Sequence, residues 1–257
     1  MTETLFEIDV NDSRSWFTMG YELYYELGKK QEALQCFEKS LELDPENLHT
    51  LSCMANCLSS LRKNQEALNI YDKILAKNPN EEEVWKSKGF HLALRMNNGE
   101  ESISSFKKVV ELKPKDPWSY YYLICVLSDC EKYDEALDFA NICLDLSPTF
   151  SGALYCKLHI LENLGRYQEV IDFCDAPLLE YNFGNMYTRA NALANLKRFE
   201  EAVVWYDKAY EINSGNIWGI ENKKRALEAI KTGKVSDIPF TYFPEKNFNF
   251  DLIDMEK

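Results

Sequence analysis

The chain has 257 residues, of which 46% are hydrophobic and 28% charged, so it contains enough apolar side chains for a continuous core. No apolar run approaches the roughly 18 residues that span a bilayer. The acidic N-terminus lacks the basic and apolar regions of a signal peptide, and we therefore expect a cytoplasmic protein that does not engage a membrane. The formal net charge of −13 disfavours binding to nucleic acid, whose phosphates have the same sign.

A motif with a period of about 34 residues runs along the chain. Its first copy begins at Gly28, continues through Ala33 and Phe37, and closes at Asp44-Pro45. Small or apolar residues recur in register at Ala33, Ala67, Ser102, Ala136, Val170 and Ala202, in steps of 34, 35, 34, 34 and 32. Closing prolines recur at Pro45, Pro79, Pro114 and Pro148. A repeat of this length is typical of a solenoid of helix pairs.

Apolar residues within each copy recur at i, i+3, i+4 and i+7, which predicts amphipathic helices. The small residue marks the close approach of the two helices in a pair, and the proline ends the second helix. After a leader over 1–12, we predict a repeat region over 13–231 and a tail over 232–257. The repeat region divides into units at 13–46, 47–80, 81–115, 116–149, 150–182 and 183–215, followed by a capping helix at 216–231.

The fifth unit departs from the pattern. Val170 replaces the small residue, and Pro177 falls inside the predicted second helix. Because an interior proline removes a hydrogen bond and clashes with the preceding turn, we expect a break near 174–180 and a change of superhelix curvature. The break is either a drifted repeat or a functional hinge that widens a groove.

The capping helix and the tail form the C-terminal part of the chain. We expect the helix to cover the last apolar surface, with a polar outer part bearing Lys223, Lys224, Arg225 and Lys231. Five aromatic residues crowd the tail, which is unusual for a disordered segment. The tail is therefore predicted either to dock in a groove as a pseudo-ligand or to pack against the last helix pair.

Signals of chemistry are weak throughout. The sequence contains no phosphate-binding loop, no nucleophile elbow and no H-E-x-x-H pair. Cys53 and Cys57 share a helix face but have no second ligand pair, so the eight cysteines are interpreted as reduced structural residues. We therefore predict no metal, no cofactor and no enzymatic activity.

The motifs resemble the tetratricopeptide repeat family. Trp16 and Gly20 open the first unit as that family's pattern does, and Trp85 and Gly89 open the third. The resemblance implies an all-α, right-handed α-solenoid of about six helix pairs, with the first helices lining a concave groove that binds proteins. Chaperone-binding members hold a C-terminal carboxylate with Lys and Asn in the first unit, where this chain has Phe17 and Tyr21, so that activity is not expected.

Carrying the family's groove positions over to this chain gives a set rich in aromatic rings and carboxamides. Aromatic rings provide contact area, and amides can bond the main chain of an extended peptide. Asn56 and Asn191 share one family position, which predicts an amide ladder, while Tyr24, Tyr25 and Tyr121 could instead belong to the core between helices. The predicted groove residues are Phe17, Tyr21, Tyr24, Ser52, Asn56, Lys86, Phe90, Trp118, Tyr121, Tyr155, His159, Tyr187, Asn191 and Asn195.

The function expected from these features is that of a protein-interaction adaptor or scaffold, which binds a peptide segment or a partner helix in the groove. The main alternative is a structural repeat protein that assembles into homo-oligomers through its ends or tail. A weaker third reading is an enzyme or a regulator bound to a small molecule. The repeat pattern does not identify the partner, because a fold does not determine a function.

Overall fold

The computed structural model describes residues 9–175, 183–215, 217–235 and 237–241. In these ranges every regular element is an α-helix, and the thirteen helices follow the predicted order of six pairs and a final helix, so the all-α fold class is confirmed. The helices are α1 Ser13–Tyr25, α2 Lys30–Leu43, α3 Leu48–Ser60, α4 Asn64–Lys77, α5 Glu82–Met96, α6 Gly99–Leu112, α7 Pro117–Asp129, α8 Tyr133–Leu146, α9 Ser151–Asn163, α10 Tyr167–Cys174, α11 Phe183–Asn195, α12 Phe199–Ile212 and α13 Ile217–Thr232.

The helices belong to two compact units. Residues up to Pro114 form the first unit, with α1 to α6, and residues from Lys115 form the second, with α7 to α13. Within each unit, every helix packs against the next one along the chain, as expected for stacked helix pairs. Among the described residues, no helix is both long enough and apolar enough to cross a membrane.

Each helix pair closes around the small residue that the sequence repeat marked. The six positions, from Ala33 in α2 to Ala202 in α12, are all fully buried. In the first and third pairs a phenylalanine ring follows four residues later and fills the space against a glycine of the first helix. A Cβ added to Gly20 would lie 2.8 Å from the ring of Phe37, and one added to Gly89 would lie 2.8 Å from the ring of Phe106. The helices therefore approach closely because neither side has room for a larger residue.

A left-handed residue makes the turn inside every pair. Positive φ values occur at Gly28, Arg62, Asn97, Glu131, Gly165 and Lys197, each five residues before the buried small position of its unit. The next residue then donates its backbone N–H to a carbonyl of the last turn of the first helix. Lys63 N–H donates to Leu58 O at 2.9 Å, for example, and Arg198 N–H donates to Leu193 O at 2.9 Å. This is the Schellman type of helix end, in which the left-handed residue lets the chain reverse direction.

The predicted irregularity in the fifth unit is visible at the end of α10. This helix has 8 residues, whereas α2, α4, α6, α8 and α12 each have 14. It ends at Cys174, the first residue of the predicted break. Pro177 itself lies outside the described residues, as do residues 1–8 of the predicted leader and 242–257 of the predicted tail.

We expect Gly28→Ala to lower the free energy of unfolding by about 1 kcal/mol, because a Cβ in the left-handed region costs roughly 1–2 kcal/mol. An added methyl group would meet no atom within 4 Å, so backbone strain is the only cost at this position. Urea titration followed by circular dichroism measures the change. Gly215→Ala is the matched control, since Gly215 is exposed and has no positive φ. Equal effects of the two substitutions would contradict this account of the turn.

Candidate functional site

The first helices of neighbouring pairs lie side by side within each unit. In the first unit α3 contacts both α1 and α5, and in the second unit α7 contacts α9 and α11 contacts α13. We call the side of each unit lined by these helices the first-helix surface. The predicted groove residues all belong to these helices, and the contacts of each residue determine whether its side chain is available to a ligand.

An aromatic row runs along α1. Phe17, Tyr21 and Tyr25 recur every four residues, which places them on one face of the helix. The ring centroids of Phe17 and Tyr21 lie 6.1 Å apart, and those of Tyr21 and Tyr25 lie 4.4 Å apart. Tyr21 and Tyr25 remain 43% and 45% exposed. Two half-exposed tyrosines that pack against each other provide a rigid contact area that loses little side-chain entropy on binding.

Tyr24 and Asn56 instead tie helices together. The Tyr24 hydroxyl lies 3.2 Å from the backbone oxygen of Asn56, to which it donates, and 2.7 Å from Ser60 Oγ. Asn56 Oδ1 accepts a hydrogen bond of 2.7 Å from the hydroxyl of Tyr71. Burial raises the pKa of Tyr71, so this hydroxyl stays protonated and remains a donor. Tyr24 therefore belongs to the contact between helices, as the alternative interpretation of the sequence expected. Ser52, on the same helix as Asn56, is half-buried.

The remaining groove residues of the first unit lie on α5. The Lys86 ammonium pairs with Glu83 one turn earlier, at 2.6 Å. Phe90 is half-buried and packs edge-on against Phe106, with ring centroids 5.0 Å apart. This part of the surface therefore combines a paired charge with a ring that is partly committed to the core.

In the second unit an aromatic cluster joins α7 to the start of α9. Trp118 packs edge-on against both Tyr121 and Phe150, with centroid distances of 5.8 and 5.0 Å. Trp118 and Tyr155 are exposed, whereas Tyr121 and His159 are half-buried. Burial lowers the pKa of His159 and raises that of Tyr121, which favours the neutral forms of both side chains. The surface presented by this cluster is therefore aromatic and uncharged.

Two predicted groove residues, Tyr187 and Asn191, belong to the core, and their predicted exposure is wrong. Tyr187 is 1% exposed and packs against Tyr206 with a centroid distance of 6.2 Å. Asn191 is also 1% exposed, and its Oδ1 accepts from the Tyr206 hydroxyl at 2.7 Å and from Asn222 Nδ2 at 3.1 Å. Asn56 and Asn191 are thus equivalent, but each binds a tyrosine of its own helix pair and leaves that oxygen engaged inside the fold.

Asn195, by contrast, binds main chain. Its Oδ1 accepts from the N–H of Phe240 at 2.9 Å, and its Nδ2 donates to the oxygen of the same residue at 2.7 Å. A second carboxamide acts alongside it, because Asn222 Nδ2 donates to the oxygen of Thr241 at 3.0 Å. A side-chain amide that donates and accepts in this way matches the two polar groups of one peptide residue.

Arg225 completes this site. Its Nη1 donates to the oxygen of Pro239 at 3.4 Å, and its Nη2 donates to the oxygen of Ile238. The guanidinium also lies over the ring of Phe240, 4.3 Å from the centroid, and the ring is 3% exposed. Phe199 closes the other side with a centroid distance of 6.1 Å. We call Asn195, Phe199, Asn222 and Arg225 the cradle, and residues 238–241 the docked segment.

The cradle corrects one expectation and adds residues that sequence reasoning missed. Arg225 is half-buried against the docked segment and does not lie on an outer polar face of the capping helix. Asn222 was not predicted, although Gly219, Asn222, Ala226 and Ala229 have the spacing of one buried helix face. A polar residue within an otherwise small and apolar stripe was the signal that could have identified it.

One buried acid has an unusual ionisation. The Glu162 side chain on α9 is half-buried as a whole, but its Oε1 is shielded from solvent and has no hydrogen-bond partner among the described residues. Burial raises the pKa of this carboxyl to about 8.

Among the described residues no group of three or more His, Cys, Asp or Glu side chains could hold a metal ion. Burial likewise raises the pKa values of the Cys53 and Cys57 thiols, each to about 11, which disfavours the reactive thiolate.

Comparison with known proteins agrees with this architecture. A family model of the N-terminal TPR repeat region of Psidin matches residues 23–210, well over half of the chain. The chain belongs to this family of tetratricopeptide repeat (TPR) proteins. A TPR repeat-containing protein of Methanocaldococcus jannaschii, MJ1428, is 38% identical over 65 residues. That match spans 25% of this TPR chain and only 11% of the relative.

Solved structures support the same fold. A tetratricopeptide repeat protein from Parabacteroides merdae is similar with a TM-score of 0.53 and 18% identity, over 84% of both chains. A MamA RS-1 double mutant is similar with a TM-score of 0.55 and 17% identity, over 74% of this chain and 95% of that one. At these identities the similarity extends to the TPR fold alone.

The ionisation of Glu162 predicts a pH dependence of stability. Because the folded-state pKa is raised from an ordinary value of 4.5 to about 8, folding favours the protonated acid, and stability falls as the pH rises between these values. We expect Glu162→Gln to raise the melting temperature by about 3 °C or more at pH 9 and to change it little at pH 5. Thermal melts at both pH values check this, with the exposed Glu38→Gln as control. An equal shift at both pH values would contradict the assignment.

Proposed function

We propose that this TPR chain is a non-enzymatic adaptor that binds a segment of a partner protein on its first-helix surface. The observation on which the proposal rests is that first-helix side chains already hold main chain in this structure. Asn195 engages both the N–H and the oxygen of Phe240, and Asn222 engages the next oxygen along. A surface that can satisfy the polar groups of one peptide segment has the chemistry to hold another.

The aromatic side chains provide the second line of support. Tyr21 and Tyr25 in the first unit, and Trp118 and Tyr155 in the second, are large apolar residues left exposed on first helices. Exposed aromatic residues are enriched where proteins bind one another, because they contribute contact area and often a polar tip. Family membership supports the same class of function, because stacked helix repeats form extended surfaces that contact other proteins.

The proposal predicts that removing exposed first-helix rings weakens partner capture. We expect Tyr21→Ala/Tyr155→Ala to retain at least fivefold less partner than the unmodified chain, since truncating a central interface aromatic commonly costs more than about 1 kcal/mol. Affinity capture with quantitative mass spectrometry, followed by titration of the retained protein, provides the measurement.

Tyr210→Ala is the matched control. Tyr210 is 47% exposed, close to Tyr21, but it lies on the second helix α12. Normal capture by this variant, together with loss by the double variant, would support the first-helix surface. Loss only with Tyr210→Ala would move the binding site to the second helices and refute the proposal.

A self-assembling repeat is the second candidate, and α13 offers an observation in its favour. The last helix leaves Ile217, Trp218, Leu227 and Ile230 exposed, so its outward surface is less polar than expected for a terminal cap. Apolar residues at the end of a repeat array can pack against another copy. Sedimentation across a hundredfold range of protein concentration distinguishes the candidates, because an adaptor that does not self-associate keeps a constant mass.

A further inference from the structure

The docked segment is held almost entirely through its backbone. The oxygens of all four residues from Ile238 to Thr241 accept hydrogen bonds from the cradle, and the N–H of Phe240 donates one. Only one side chain is deeply inserted, since Phe240 is 3% exposed while Ile238, two residues earlier, is 68% exposed. A site of this kind recognises the backbone conformation of its ligand and one aromatic ring, and it contacts the flanking side chains little.

The cradle is fixed in place by the core beneath it. The Tyr206 hydroxyl and Asn222 Nδ2 both donate to Asn191 Oδ1. Arg225 Nη1 in turn donates to Asn222 Oδ1 at 2.9 Å. This chain of bonds orients the Asn222 amide and the Arg225 guanidinium without any contribution from the docked segment. A site whose donors are positioned in advance loses less entropy when a ligand binds.

The sequence of the docked segment suits this site. Pro239 fixes its own φ near −65° and biases Ile238 away from the helical region, so the backbone is partly ordered before it binds. Pro239 also has no N–H that would require a partner. The described residues therefore specify a ligand pattern, which is a residue in extended conformation, then proline, then an aromatic anchor.

We propose that the docked segment is an internal stand-in for a partner, and that the cradle binds a partner segment with proline followed by an aromatic residue once residues 238–241 leave. This inference rests on the proposed function and adds both the ligand chemistry and a regulatory contact. Because the segment follows α13 by only a few residues, it competes at an effective concentration on the order of 1 mM. A partner must therefore bind more tightly than the tethered segment or find it already displaced.

The test uses the full chain and a fluorescent synthetic peptide that spans residues 234–241, blocked at both ends. We expect the Phe240→Ala chain to bind this peptide at least tenfold more tightly than the unmodified chain, because the internal anchor is gone. Ile238→Ala is the matched control on the same segment, and it should bind as the unmodified chain does, since the Ile238 side chain is mostly exposed.

A second change locates the peptide. Adding Asn195→Asp to the Phe240→Ala chain removes the amide donor to the ligand's backbone oxygen and places a negative charge beside it, so binding should fall at least tenfold. A peptide with alanine at the position of Phe240 should also fail to bind. Equal affinity of the unmodified and Phe240→Ala chains, or binding unaffected by Asn195→Asp, would overturn the proposal. A dimer of the unmodified chain that Phe240→Ala dissolves would overturn it too, by identifying a second copy as the occupant.

A measurement on the unmodified chain covers the case in which Phe240→Ala does not fold. Excess peptide should displace the docked segment and speed amide hydrogen exchange at Phe240 at least fivefold, since its N–H is bound to Asn195, while exchange in α2 stays constant. Unchanged exchange at saturating peptide would refute displacement. Failure here leaves the adaptor proposal standing on its own test, since partner capture through Tyr21 and Tyr155 involves neither the cradle nor this peptide.

Discussion

The close approach of two helices at one small buried residue is the constraint on which the rest of this structure depends. The position is filled by alanine in four pairs, and by Ser102 and Val170 in the other two, and it is fully buried in all six. A left-handed residue lies five positions earlier every time, whether it is Gly28 or a strained non-glycine such as Arg62. The spacing between the left-handed turn residue and the buried small position is thus the same in every pair, even where the repeat length changes. This spacing decides which face of each first helix remains available for binding.

Local signals in the sequence predicted most of this architecture. The helices α2, α4, α6 and α8 each end two residues before one of the repeated prolines, because proline and the residue before it disfavour the helix. The departure of the fifth unit was also readable, and α10 ends at Cys174. Helix ends depend on residues that are close together in the chain, so the repeat and its prolines were sufficient to predict where these helices end.

Side-chain environments were less predictable, because they depend on neighbours that the repeat does not specify. Tyr187 occupies a family groove position but faces α13, where Gly219 lacks the Cβ that would collide with its ring. The sequence predicts Arg225 to be a surface cation on an amphipathic helix. In the structure its guanidinium instead donates to a carbonyl oxygen of the docked segment and lies over the ring of Phe240. Both errors occur where the last helix pair meets α13, an element that is not another copy of the repeat.

Asparagine side chains on the first helices have two different roles: some stabilise the fold, and one binds main chain. The role depends on whether a tyrosine of the second helix donates its hydroxyl to the asparagine. Asn56 and Asn191 each have a tyrosine fifteen residues later, Tyr71 and Tyr206, which lies four residues after the buried alanine and donates its hydroxyl inward. Asn195 also has a tyrosine fifteen residues later, but Tyr210 lies one helical turn further on and is exposed. With no hydroxyl directed at it from the second helix, the Asn195 amide is left to pair with a peptide. An asparagine on a first helix is therefore a candidate ligand residue only where its tyrosine is absent or out of register.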